Sequence, residues 1–421
     1  MYHSSKTTKQ EEKSAPSAPS APSAPPDGGL VAWAQVAGAF FIWLNTWGLV
    51  NAFGAWQSFY ETTLLPHESP STIAWIGSIQ SCLLCVVGAL TGPLFDAGHL
   101  RFLLFAGTIL VSLGLAMASL ADSFWQLLLA QGFCVGVGSG CLFTPSVAIV
   151  STYFSSRVAF ANGIAASGSG LGGVIFPIMF HQLQPRIGFP WATRAVALVA
   201  LVTLSASSTL MQMRIVPAKK RKLFDAKGWR DRAYSLYVLG GFVAFLGCWT
   251  PFFFVSLYAI EHRVGSDTGI FYLLPAISAG SVLGRVLPNL IAVRVGMFNV
   301  LVPCTLMTGV VALGFIGARA YSSLMVLCVL YGIVSGALVS VLPTIPVQLC
   351  PDRSVIGNRM GMAFSTISLG ALAGTPIAGH LVSRYGFHAA FEFSGACAAA
   401  SAVILAAARI AHKGWKVNIK A

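Results

Sequence analysis

The chain has 421 residues, of which 56% are hydrophobic and 9% charged, with a mean hydropathy of +0.75. A soluble globular domain carries roughly 25% charged residues, so this composition excludes that class and reads as a polytopic membrane protein. The formal charge of +13 argues for no nucleic-acid partner, because the basic residues sit in short gaps between apolar runs and not on a soluble face with polar and aromatic neighbours.

Residues 1–26 are polar and end in "SAPSAPSAPSAPP", a repeat that can neither bury a core nor hold a helix, and they are expected to form a disordered cytoplasmic tail. The first apolar run begins near Leu30. It is too long for a signal-peptide core and many similar runs follow, so it is expected to remain in the protein.

Runs of spanning length lie near 30–56, 71–95, 100–120, 125–152, 158–183 and 190–212. After "MRIVPAKKRKLFDAKGWRDR" (213–232) six more lie near 234–260, 268–293, 297–317, 322–349, 357–382 and 389–410. The predicted fold is therefore all-α, with twelve transmembrane helices in two pseudo-symmetric six-helix bundles. The bundles cover 27–212 and 234–410, with a basic linker at 213–233 and a cytoplasmic tail at 411–421.

On this map twenty of the 26 Lys and Arg lie on one side and five opposite, with Arg285 inside the membrane. The positive-inside bias puts both termini and the linker in the cytoplasm, and the expected location is the plasma membrane. The halves echo each other: "GIAAS" (163–167) and "LG" (171–172) return 198 residues later as "GMAFS" (361–365) and "LG" (369–370). Parallel six-helix repeats are a transporter architecture, with the solute site near the midplane between them.

Nine cysteines lie within or at the ends of apolar runs and form neither a disulfide framework nor a zinc pattern. Cys82-x-x-Cys85 reads as two small residues on one helix turn. Gly168-x-Gly-x-x-Gly173 has the spacing of a dinucleotide fingerprint but lies inside a membrane run with no preceding strand. His262-x4-Asp267 has acyltransferase spacing on a short outer loop without a supporting site. An enzyme, a metal site and a cofactor are accordingly not expected.

"PDGGLVAW" (26–33) followed by "GAF" (38–40) resembles the signature that opens the first helix in the monocarboxylate porter family of the major facilitator superfamily. "GPLFDAG" (92–98), with Arg101, resembles that superfamily's loop between helices 2 and 3. Residues 153–177 and 356–379 are similar to the matching segments of fungal members. The resemblance implies alternating access by rocking of the halves, with a solute crossing between them.

The sequence also departs from the pattern. Asn51 falls where proton-coupled animal members carry a lysine, Ser281 replaces their helix-8 Asp one turn before Arg285, and Val293 precedes Arg294 where the second-half loop has an acidic residue. "GSGLGG" (168–173) resembles the superfamily's antiporter motif with Ser169 in place of proline. These differences favour export of a secondary metabolite over the alternative, a proton-coupled monocarboxylate or riboflavin-type uptake carrier. A membrane sensor that does not transport ranks third, since only about ten residues follow helix 12.

Arg285 lies in a stretch that is otherwise apolar from Gly269 to Val293. It is either an anion-binding residue in the solute cavity or a structural arginine bonded to helix-end carbonyls. Asn51 and Gln80, and more weakly Asn45, Trp249 and Tyr258, are each either substrate-binding or interhelical glue. Asp96 and Arg101 are expected to form a conformational switch at the loop between helices 2 and 3. Glu392, His181 and His380, with Glu261, are the candidates for proton coupling, and each also suits a lipid interface. The expected partners are the lipid bilayer and a small organic solute, anionic or amphipathic. The sequence leaves the oligomeric state open.

Overall fold

The computed structural model describes residues 26–155, 157–214, 225, 228–350 and 356–414. Most of the expected N-terminal tail, the centre of the linker and the end of the C-terminal tail lie outside these residues. Among the described residues eleven continuous segments are long and apolar enough to cross a membrane. One of them, Val158–Leu210, is two helices joined at Gly188, where φ is 78° and ψ 165°. Glycine alone takes that conformation readily. The count is therefore twelve.

We label the helices α1 (Leu30–Leu64), α2 (Pro70–Asp96), α3 (Leu100–Ala118), α4 (Phe124–Tyr153), α5 (158–187) and α6 (189–210). The second half comprises α7 (Arg232–Glu261), α8 (Leu273–Val295), α9 (Met297–Gly314), α10 (Tyr321–Val341), α11 (Ile356–Tyr385) and α12 (Phe387–Lys413). An even number of crossings brings the first and last helix ends to the same side, called here the terminal side.

Local chemistry sets several ends. Ser69 caps α2 by accepting from the Thr72 amide at 3.1 Å, with Pro70 at the first helical position. Asp231 caps α7 by accepting from the Ala233 amide at 3.0 Å. Two ends differ from the sequence expectation. α1 continues past residue 56 to Leu64 through a widened turn at Tyr60–Leu64, stabilised by Gln57 Nε2 donating to Glu61 Oε1 at 2.7 Å. α10 closes at Val341 and gives way to a tight turn and the short helix Ile345–Leu349, because Pro343 and Pro346 cannot donate to the preceding turns.

The two halves repeat one packing solution. Ser207 on α6 donates to the Gly38 carbonyl of α1 at 2.8 Å, and Ser401 on α12 donates to the Gly240 carbonyl of α7 at 2.7 Å. Small residues at both crossings let the backbones approach, which is how helices associate where lipid offers no hydrophobic drive. On α3 the side chains of Phe102, Phe105, Ile109, Leu113 and Met117 form an exposed stripe at helical spacing, the face turned to lipid.

Among the described residues, three pairs of helices make the main contacts between the halves. Ser71 of α2 donates to the Pro376 carbonyl of α11 at 2.8 Å, and Ser78 of α2 shares a hydrogen bond with Thr375 of α11. α5 lies against α8 where a Cβ on Gly173 would meet Ser278 and Asn51. On the side away from the termini, Phe53 of α1 packs on Phe253 of α7 with ring centroids 5.0 Å apart.

Candidate functional site

α1 and α7 are each broken at the same depth. In α1 the break is Thr46 (φ −98°, ψ −81°), whose hydroxyl donates to the Ile42 carbonyl at 2.8 Å and so competes with the helix ladder. In α7 the break is Trp249, and its cause is Pro251, which has no amide to offer Gly247. The Gly247 carbonyl instead accepts from Ser394 at 2.8 Å. Trp47 is 17 residues beyond Leu30 and Trp249 is 17 beyond Arg232, so the two breaks occupy corresponding places in the halves. Discontinuous helices at matching positions are where transporters of this kind build solute sites.

At the breaks the indoles of Trp47 and Trp249 stack across the seam, with centroids 5.7 Å apart and planes 15° from parallel. Both are buried, at 4% and 2% exposure, and neither indole nitrogen has a partner among the described residues. One turn beyond Trp47, Asn51 donates to the Ser169 carbonyl of α5 at 3.2 Å, while its Oδ1 has no such partner. Ser278 of α8 lies with it beside Gly173, and its hydroxyl is also unpartnered among the described residues. Gly77 of α2 abuts the Phe53 ring, which puts Gln80 near the level of Asn51; its Oε1 is unpartnered too.

Arg285 is 1% exposed, among the largest fully buried side chains. Its Nε donates to Ser281 Oγ at 3.1 Å, so the serine at the place of the acidic residue holds the guanidinium without neutralising it. Nη1 has no hydrogen-bond partner among the described residues. Trp47 lies one turn below Asn51 and Arg285 lies two turns below Ser278, both toward the terminal side. At 1.5 Å per residue the indole pair and the guanidinium differ in depth by about 5 Å.

The other predicted site residues lie elsewhere. Asn45 donates to Thr203 Oγ1 of α6 at 2.7 Å and Tyr258 donates to the Ala318 carbonyl at 3.1 Å, each inside its own half. Asp96 is buried at the terminal end of α2 at 4% exposure. Arg101 is exposed and donates to the Ser208 carbonyl at the end of α6. Glu392 and His380 are exposed on α12 and α11, apart from the seam stack. His181 stacks on Phe271 with centroids 3.8 Å apart and lines a cavity of about 350 Å³ on the side away from the termini, walled by both halves.

Sequence reasoning missed three groups. Trp47 carried a partial signal: it lies 17 residues into its apolar run, close to the 15 of Trp249 in the matching run of the second half. Glu61 was hidden by ending α1 at residue 56. The ion pair of Arg359 with Asp225, at 3.1 Å, joins α11 to the linker and had no local sequence signal. The "PDGG" segment has its own contact: the Asp27 carboxylate accepts from the Ser155 amide and hydroxyl, both at 2.6 Å, and Trp33 packs edge-on to Phe154 at 5.2 Å. It fastens the start of α1 to the end of α4.

The chain matches the Major Facilitator Superfamily over residues 36–355. It is similar to the MFS-type transporter dbaD of Emericella nidulans, 41% identical over 358 residues that cover 85% of this chain and 81% of that protein. It is also similar to the aspyridones efflux protein apdF of Emericella nidulans, 36% identical over 363 residues covering 86% and 74%. The MFS-type transporter pynF of Aspergillus niger is 35% identical over 395 residues covering 91% and 90%.

Proposed function

The chain belongs to the major facilitator superfamily, and from that membership we propose that it exports an acidic secondary metabolite by alternating access between its two six-helix bundles, 27–212 and 234–410. The observation that carries the acidic part is Arg285, a buried guanidinium about 5 Å in depth from the stacked indoles at the helix breaks, with one terminal nitrogen unpartnered among the described residues. A charge in that place is held for a pathway or a ligand. Asn51 and Gln80 offer acceptors toward the same seam, and Trp249 forms one wall.

The finer placement within the superfamily is the monocarboxylate porter family, on the strength of Asp27, Trp33 and the Asp96 loop. Asp96 and Arg101 act in switching between states. The membrane is the plasma membrane and both termini face the cytoplasm, in keeping with the Lys and Arg bias. The efflux relative supports export over uptake.

Untargeted metabolite profiling of cells and medium, with and without the gene, tests this reading. One acidic compound should accumulate inside the deletion strain and fall in its medium. Compounds lost from the cells while remaining in the medium would indicate uptake and overturn it.

A further inference from the structure

We propose that Trp47 and Trp249 are an aromatic clamp that takes a flat, conjugated ring of the solute between their faces. The inference rests on the reading of the seam as the solute site and names the shape of what binds there.

Three observations converge on it. The rings already lie nearly parallel, 15° apart, so the faces presented to each other are suited to a flat group. A ring sandwiched at van der Waals contact on both sides needs planes about 7 Å apart. The indoles belong to α1 and α7, on opposite halves, so rocking supplies that separation without rebuilding either helix. Secondly, each tryptophan sits at a helix break at the same depth in its half, the place where backbone irregularity marks a solute site.

Thirdly, both indole N–H groups are buried and lack partners among the described residues. A pair serving only to plug the seam would be made as well by phenylalanine. A contact of that kind exists in this protein nearer the side away from the termini, as Phe53 on Phe253 demonstrates. Buried donors without partners are uncommon in native structures, and two of the three such indoles among the described residues, Trp56 being the other, form this stacked pair, where a solute can bring acceptors. With Arg285 about 5 Å away in depth, the clamp sees a ring and the guanidinium sees its acidic substituent. In this structure the indoles stack on each other, so a ring entering between them competes with that contact.

The test uses the full-length protein purified in detergent and two probes, 2-naphthoate, which is flat, and decahydro-2-naphthoate, its saturated counterpart. Calorimetry should give a preference of about tenfold for the flat acid in the wild type, the scale of ring stacking on one aromatic side chain. Trp47→Leu and Trp249→Leu should each bring that ratio to about one, while the Phe variants keep most of it. Arg285→Lys should weaken both probes by a similar factor and leave the ratio intact. A wild-type ratio near one overturns the clamp and needs no variant; so does an unchanged ratio in the folded Leu variants. Unchanged affinities in Arg285→Ala overturn the acid-site reading alone, with the ratio still judging the clamp. Failure of both probes to bind the wild type overturns both.

Discussion

A cation at the centre of a membrane helix costs about 2.5–3.5 kcal/mol on insertion scales. The hydrogen bond from Arg285 to Ser281 offsets part of that cost, since bonds to charged groups contribute about 1.5–3 kcal/mol. The remainder is carried for function if the guanidinium binds solute. Arg285→Lys keeps the charge but loses the planar fork, so export of an acidic solute should fall about tenfold or more at unchanged membrane abundance. Arg285→Ala should abolish export and still insert. Loss of the Ala variant from the membrane, with normal export by Lys, would return Arg285 to a structural role. Counting cell-surface protein beside transport separates the two. The charge itself was legible in the sequence because no other Asp, Glu, Lys, Arg or His lies in 269–293. The lack of an acidic residue one turn before it on the same helix was legible too, from Ser281.

At the scale of helices, the seam depends on how closely α5 approaches α8. A Cβ on Gly173 would press on Ser278 and Asn51, whereas one on Gly163 would meet only the Arg285 carbonyl, at 4.0 Å. Gly173→Leu should therefore push the helices apart and cost about 1–3 kcal/mol of stability, with a several-fold loss of export, whereas Gly163→Ala should be close to neutral. Thermal unfolding in detergent measures the first effect. A Gly173→Leu protein that melts and transports like the wild type would remove the close-packing argument. Helix number and order were readable because twenty apolar residues in a row have one solution in lipid. The helix breaks at Thr46 and Trp249 were not, since a threonine that bonds back and a proline in a first turn look locally like ordinary helix. The join at Gly188 was placed correctly between 183 and 190, as Pro185, Gly188 and Pro190 cluster there. Stacking of Trp47 on Trp249 pairs residues 202 apart, and no local pattern encodes such a contact.

For the molecule as a whole, α1 and α7 meet through Phe53, Gly54, Phe252 and Phe253 on the side away from the termini, closing the seam there. Alternating access requires that this contact open in each cycle, because a solute leaving the Trp47 and Trp249 level toward that side must pass it. α2 and α11 meet beside it through Ser71, Ser78 and Thr375, at a lateral seam on which the halves can rock. The nine native cysteines are buried or half-buried, so new thiols can be read against a wild-type control treated alike. With Phe53→Cys and Phe253→Cys combined, a short bifunctional methanethiosulfonate should stop export in proteoliposomes, and dithiothreitol should restore it. Reagents of increasing length should inhibit progressively less, as the tether permits more opening. Each single-cysteine variant should be insensitive. Full export by the short-tethered protein would mean that the solute does not pass between α1 and α7, and the path through the seam would have to be abandoned.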